Sequence, residues 1–329
     1  MKFKLITLSL AVAGLFSTSC LQEDYSDCYN TYKLVLSYKG DGATEIFPEK
    51  INRVDMYVFD EANACVSSRR LPDADVSSQT TTLPPLAPGE YRIICVGNAH
   101  DTGLENLESG DYGNILFAAN DYLEGKAVTG NDSLYYASHR YTVEGFDPMP
   151  KERTEVIEFA SSHYDILVEV YNAPEWVGKH PKIELVGVSP QTDFENTAKG
   201  KATDYIMETV HDGMKTTTAE NNIMRHKNHE DVYVRVTGEN GEQVAMINFA
   251  EWIEEHKKYI DPTKHECLIP FRIEFGDPLP PDPPTPPDPP TPPTPPTPPT
   301  PPVPGDDGMC VEISIVLPQW YKELISPIF

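Results

Sequence analysis

From Tyr32 to Tyr38 apolar and polar residues alternate, with Tyr32, Leu34, Leu36 and Tyr38 on one face and Lys33, Val35 and Ser37 on the other. That period of two predicts a half-buried β-strand. The stretch RVDMYVFDEANACVSSRRL, from Arg53, predicts two strands around a turn near Glu61 to Asn63. In LPPLAPGEYRIICVGNA a Pro-Gly turn precedes a strongly apolar strand at Tyr91 to Val96. Between His100 and Gly130 the pattern weakens to loops with one short apolar patch, Ile115 to Ala119, and SLYYASHRYTVEGF from Ser133 restores strand character. The second half is patterned in the same way, since TEVIEFA, YDILVEVYNA, PKIELVGVS, DVYVRVT and ECLIPFRIEF all read as strands. One helix interrupts, in INFAEWIEEHKKY, where Phe249, Trp252, Ile253 and His256 recur at helical spacing and form one apolar face.

Two batches of short strands predict an all-β chain of two tandem, Greek-key-like β-sandwiches, with one short helix in the second. The segment GFDPMPKE, with two prolines and no apolar period, divides them, giving domains at 31–148 and 149–276. A Pro-Thr repeat follows within residues 277–308, and a strand-like tail occupies 309–329. The three-residue period of the repeat matches polyproline II, so Pro280 to Pro304 would extend about 75–80 Å at ~3.1 Å per residue. In the tail, Val311, Ile313, Ile315 and Leu317 line one face of a strand that Pro318 stops. It either folds back onto the second sandwich, with the repeat as a long surface loop, or is held out to be donated to another protein.

Residues 1–19 are a signal peptide rather than fold. Lys2 and Lys4 form a basic start, Leu5 to Phe16 an apolar run too short to span a membrane, and Ser17-Thr18-Ser19 a small-residue site. Ser-Thr-Ser-Cys resembles a bacterial lipobox, which implies that Cys20 becomes the acylated first residue of the mature chain. The plainer alternative is an ordinary signal peptide with a chance cysteine. Covalent diacylglycerol and a fatty acyl group such as palmitate on Cys20 would be the only non-protein groups; no cofactor is signalled. Residues 20–30 would then form an acidic tether.

The net charge of −25 becomes −27 when the two lysines of residues 1–19 are removed. So acidic a surface disfavours a nucleic-acid partner, which needs basic residues to displace counterions. Five further cysteines, Cys28, Cys65, Cys95, Cys267 and Cys310, have neither an even number nor a CxxC spacing. Disulfides are open to an exported chain, while Cys95 inside its apolar strand reads as a small buried hydrophobe.

Catalytic patterns are not visible: there is no glycine-rich phosphate loop, no GxSxG and no HExxH. His226, His229 and Glu230, with His211 upstream, read as a polar loop rather than a metal site. Asp132-Ser133-Leu134 matches a three-residue O-glycosylation pattern that also arises by chance. The expectation is a protein without enzymatic activity and without a metal.

The N-terminal third resembles a known family. Cys20 is followed by an acidic stretch and Asp27-Cys28. A strand ending in Tyr38 comes next, then Val54-Asp55-Met56-Tyr57-Val58-Phe59-Asp60, then Leu86-Ala87-Pro88-Gly89-Glu90-Tyr91 before an apolar strand. In that order these pieces resemble the fimbrial (type V pilus) anchor lipoproteins of the Bacteroidales. The stretch LQEDYSDC is similar to the surface-export signal of Bacteroidetes lipoproteins. The resemblance implies a surface-exposed protein, lipid-anchored in the outer membrane, that holds the fibre base and partners fimbrial shaft pilins by β-strand addition. The long Pro-Thr repeat departs from the pattern. Alternatives are a surface glycan- or ligand-binding lipoprotein, or a shaft or tip pilin processed after Arg53 or Arg70.

Overall fold

A computed structural model describes residues 30–109, 112–145, 149, 151–172, 180–213, 215–226, 231–238, 240–276 and 313–325. The strands of the first half are β1 (Thr31–Ser37), β2 (Val54–Phe59), β3 (Cys65–Arg70), β4 (Thr80–Thr82), β5 (Gly89–Gly97), β6 (Thr102–Glu105), β7 (Leu116–Ala119), β8 (Tyr135–Val143), β9 (Glu152–Glu158) and β10 (Ala160–Ser161). Those of the second are β11 (His163–Tyr171), β12 (Lys182–Val188), β13 (Gln191–Thr192), β14 (Ala198–Lys199), β15 (Thr203–Ile206), β16 (Thr209–His211), β17 (Thr216–Met224), β18 (Tyr233–Thr237), β19 (Gln243–Asn248), β20 (Leu268–Phe275) and β21 (Ile313–Val316). Short helices are α1 (Phe47–Lys50), α2 (Asp73–Ser77), α3 (Asn120–Leu123), α4 (Phe249–Glu255) and α5 (Gln319–Ile325). The chain is mainly β, as the alternation predicts.

In the first sandwich a sheet ordered β4-β1-β9 faces one ordered β10-β8-β5-β2-β3. The face of β1 picked out by its period supplies Tyr32, Leu34, Leu36 and Tyr38 to this core, with Phe47, Met56, Val58, Ile93, Cys95 and Ala137. All six residues of β2 are buried, because its sheet is covered on both sides. Met56 and Val58 point into the first core, while Tyr57 and Phe59 join a separate cluster with Ile94, Val96, Phe117, Leu134, Phe194 and Met224. Burial on both faces explains the near-continuous apolar run there.

Two arrangements differ from the strand reading. The stretch read as loops contains β6 and β7, which pair with each other and, through β7, with β13 in a sheet ordered β14-β13-β7-β6. That sheet joins the two halves. The strand β9, on the far side of the division at 148/149, runs parallel to β1, and Ile157 and Phe159 pack into the first core.

The second sandwich sets a sheet ordered β16-β17-β11-β20-β21 against one ordered β15-β12-β18-β19. Its core gathers Ile166, Val168, Ile183, Leu185, Val234, Val236, Ile269, Phe271 and Ile273. The predicted helix is α4, shorter than its sequence pattern. Asn248 caps it by accepting from the Glu251 backbone N–H at 2.9 Å. Phe249 and Trp252 are buried in the core, and the Trp252 indole N–H donates to the Pro270 carbonyl at 3.2 Å.

A polar latch spans the halves. The Glu266 carboxylate accepts from the Tyr38 hydroxyl and from Lys50 Nζ at 2.5 Å. Asp41 accepts from the backbone N–H groups of His265 and Glu266 at 3.1 and 3.3 Å. The Arg225 guanidinium holds that loop from behind, donating to the carbonyls of Pro262, Lys264 and His265. Burial works against the charge on Glu266, but the hydrogen bonds from Lys50 and Tyr38 outweigh it and keep the carboxyl below its ordinary pKa.

Candidate functional site

The features the sequence singles out lie at the two ends of the chain. At the N-terminal end, Cys20 lies outside the described residues, which begin at Asn30. From there the chain enters β1 directly. This strand is central in its sheet, paired antiparallel with β4 and parallel with β9. Leu34 and Leu36 are wholly buried. Removing β1 would open the core and expose two rows of unpaired backbone groups.

The two arginines differ in accessibility. Arg53 is partly buried just before β2, ion-paired with Asp55 at 2.9 Å, and its carbonyl accepts from the Asn98 N–H at 2.9 Å. Arg70 ends β3 on the sheet edge with its side chain 55 % exposed and only a loose approach of 3.8 Å to Asp73. A cut after Arg53 would separate β1 and α1 from the rest in sequence, one after Arg70 would take β2 and β3 with them, and Phe47 and Ile51 are core residues.

At the C-terminal end, β21 lies on the edge of the second sandwich's larger sheet. It runs antiparallel to β20, with Arg272 opposite Val316, Ile273 opposite Ile315, Glu274 opposite Ser314 and Phe275 opposite Ile313. Here the tail strand pairs with its own chain. Directly opposite residues share a face, so Ile313 and Ile315 point the same way as the buried Phe275 and Ile273. Yet Ile313 is 39 % and Ile315 37 % exposed. The core therefore thins beyond β20 and covers the apolar face of β21 only in part.

What holds the tail is the segment after the strand. Leu317 and Tyr321 are buried in the second core, and the Tyr321 hydroxyl donates to the Leu268 carbonyl at 2.8 Å. Of the four residues on the expected strand face, then, Ile313 and Ile315 lie in the strand and are exposed. Leu317 lies just past it and is buried, and Val311 falls outside the described residues. The role of Tyr321 is not visible in the sequence; the aromatic three residues after Pro318 is its only signal.

Other positions weighed for chemistry have packing or hydrogen-bond partners where they are described. His226 is buried with Nε2 at 3.2 Å from the Ser189 carbonyl, and His211 Nδ1 lies 3.1 Å from the Thr217 hydroxyl. His229 and Glu230 are outside the described residues. Among the described residues no group of three His, Cys, Asp or Glu side chains could hold a metal. Ser133 is partly buried and accepts from the Asn222 amide at 2.7 Å. Cys65, Cys95 and Cys267 are free thiols, and burial pushes Cys95 up to about 12. Of the tryptophans, Trp252 is core, Trp320 is 38 % exposed beside the tail strand, and Trp176 is outside the described residues. Among the described residues no helix is long and apolar enough to cross a membrane.

A model of the family described as fimbrillin-A associated anchor proteins Mfa1 and Mfa2 matches residues 25–291 of this sequence. No curated protein matches it. Three solved structures share the fold. The fimbrial anchor protein Mfa2 from Porphyromonas gingivalis is 18 % identical, with a TM-score of 0.59 over 75 % of this chain and 90 % of that one. A candidate polysaccharide-binding protein from Bacteroides thetaiotaomicron is 12 % identical, with a TM-score of 0.59 over 75 % and 91 %. A candidate adhesin from Bacteroides ovatus is 13 % identical, with a TM-score of 0.60 over 75 % and 88 %. At these identities the structures speak for the fold alone. The family match stops inside the proline tract, so β21 lies beyond it.

Proposed function

The chain belongs to the family of fimbrillin-A associated anchor proteins, and from that membership we propose that it is a lipid-anchored pilus anchor. In this reading it holds the fibre base on the outer membrane and joins the first shaft pilin by β-strand addition. Family membership makes it a fimbria-associated, adhesin-like structural protein of the cell surface. The lipid on Cys20 and the strand joint are the proposal. Acyl chains stabilise membrane attachment by ~0.8 kcal/mol per buried CH₂, so two or more on Cys20 would hold the mature chain without a spanning helix.

The observation that supports the joint is the partial exposure of Ile313 and Ile315 on a sheet-edge strand whose apolar face its own core covers only in part. An uncut chain keeps β1 in place, so its first sandwich has no vacancy to fill. It would engage a pilin through a strand it gives, β21, which would have to leave β20 to do so. The strand Ile313–Val316, at the end of a proline tract, has the alternating apolar side chains that another subunit's groove would read.

The test is the double substitution Ile313→Asp with Ile315→Asp. Both side chains are more than a third exposed, so folding stability should fall by about 1 kcal/mol, at about 0.5 for each substitution. Capture of purified shaft pilin should be lost. Undiminished capture by the doubly substituted chain would remove this strand from the joint.

A further inference from the structure

An anchor has to withstand tension, and strand direction decides how a β-protein answers it. Among the described residues only two ladders between strands are parallel: β1 with β9, and β11 with β20. Each is unbroken over seven residue pairs, from Thr31↔Glu152 to Ser37↔Glu158 and from Asp165↔Leu268 to Tyr171↔Glu274. The N–H of Thr31 donating to Lys151 O at 3.2 Å, and that of Phe159 donating to Ser37 O at 2.9 Å, close the first ladder at its two ends.

These four strands are also where the chain enters and leaves each sandwich. It enters the first on β1 and leaves it along β9 and then β10, held to β8 by only two residue pairs, before entering β11. It leaves the second along β20, which leads to the proline tract. A pull between residues 30 and 276 therefore draws β1 towards its start and β9 towards its end. The same holds for β11 and β20. Neighbours that run parallel and are pulled in opposite directions must slide past one another, which loads every hydrogen bond of the ladder together. Were entry and exit strands antiparallel, both pulls would act at one end and open the ladder bond by bond.

We infer that the β1–β9 and β11–β20 ladders are two mechanical clamps in series, which carry tension through the protein from its N-terminal tether to its proline tract. The inference takes the direction of pull from the anchor reading; the clamps themselves are a property of the isolated chain. The tail strand is built the other way. Being antiparallel to β20 over four residue pairs, β21 opens from one end when the C-terminus is pulled. It would leave at low force while the sandwiches hold.

Force spectroscopy on the lipid-free full-length chain, Cys20→Ala, tests this with handles at residue 20 and at the C-terminus. The expected trace is an early low-force release of the tail followed by two high-force ruptures. Moving the second handle to position 151 places both pulls at one end of the β1–β9 ladder. The first sandwich should then open at a force lower by roughly twofold or more, since its bonds break in turn. Equal rupture forces in the two geometries, or sandwiches that yield with the tail, would overturn the clamps. Neither result bears on fibre attachment, which is read on cells.

Discussion

Replacing Leu36 with aspartate should unfold the first sandwich. Leu36 is wholly buried near the end of β1, between Leu34 and Tyr38 on the same core-facing row. A carboxylate there has no partner in the core, and the cost of burying it, added to the lost apolar contact, is about 4 kcal/mol or more. Total stabilities run at about 5–15 kcal/mol, so little would remain. The second sandwich has its own core, and the third cluster, with Phe194 and Met224, links the two. Thermal unfolding should accordingly show an early transition absent from the parent chain. A melting curve unchanged by Leu36→Asp would mean that β1 contributes nothing to the folded protein, as expected if it were removed during maturation.

The second large effect concerns attachment. Cys20→Ala should leave folding unchanged, because the sequence reads residues 20–30 as an acidic tether that carries no core residues. It should move the protein from the outer-membrane fraction to the soluble fraction almost completely, since nothing else in the proposal binds it to lipid. Fractionation followed by a carbonate wash measures this directly. A substituted chain that stays in the washed membranes would show that the anchor lies elsewhere.

Much of the fold is legible in the sequence because long strands carry their burial in their period. At Tyr32 to Tyr38 the alternation names the core side chains one by one, and it does so again along β11 and β20. The hairpin of β2 and β3 is readable from its turn, where Asn63 adopts a positive φ of 61°. Short strands are not readable. Four residues in β6 and four in β7 are too few to establish a period, and their sheet is completed by β13, far along the chain. The strand β17, TTTAENNIM, escapes notice for a different reason. Its threonines and asparagines mask Ala219 and Ile223, which alternate into the second core.

The tail shows where sequence reasoning stops. Its apolar alternation is plain, but alternation says which side chains share a face, not whether anything covers that face. Only the register with β20 shows that Ile313 and Ile315 overhang the core while Leu317 and Tyr321 enter it. The two batches of strands are likewise visible in the sequence. The partnership of β1 with β9 is not, because parallel pairing joins segments over a hundred residues apart with no local signal.

The most direct test of the anchor reading is the fate of fibres on cells lacking this gene. Fibre subunits are measured on the cells and in the medium, and the fibres are imaged for number and length. The account predicts that fibres are shed into the medium, and that the parent sequence restores them to the cell surface while Cys20→Ala does not. Fibres of normal number, length and attachment in the deletion strain would contradict it.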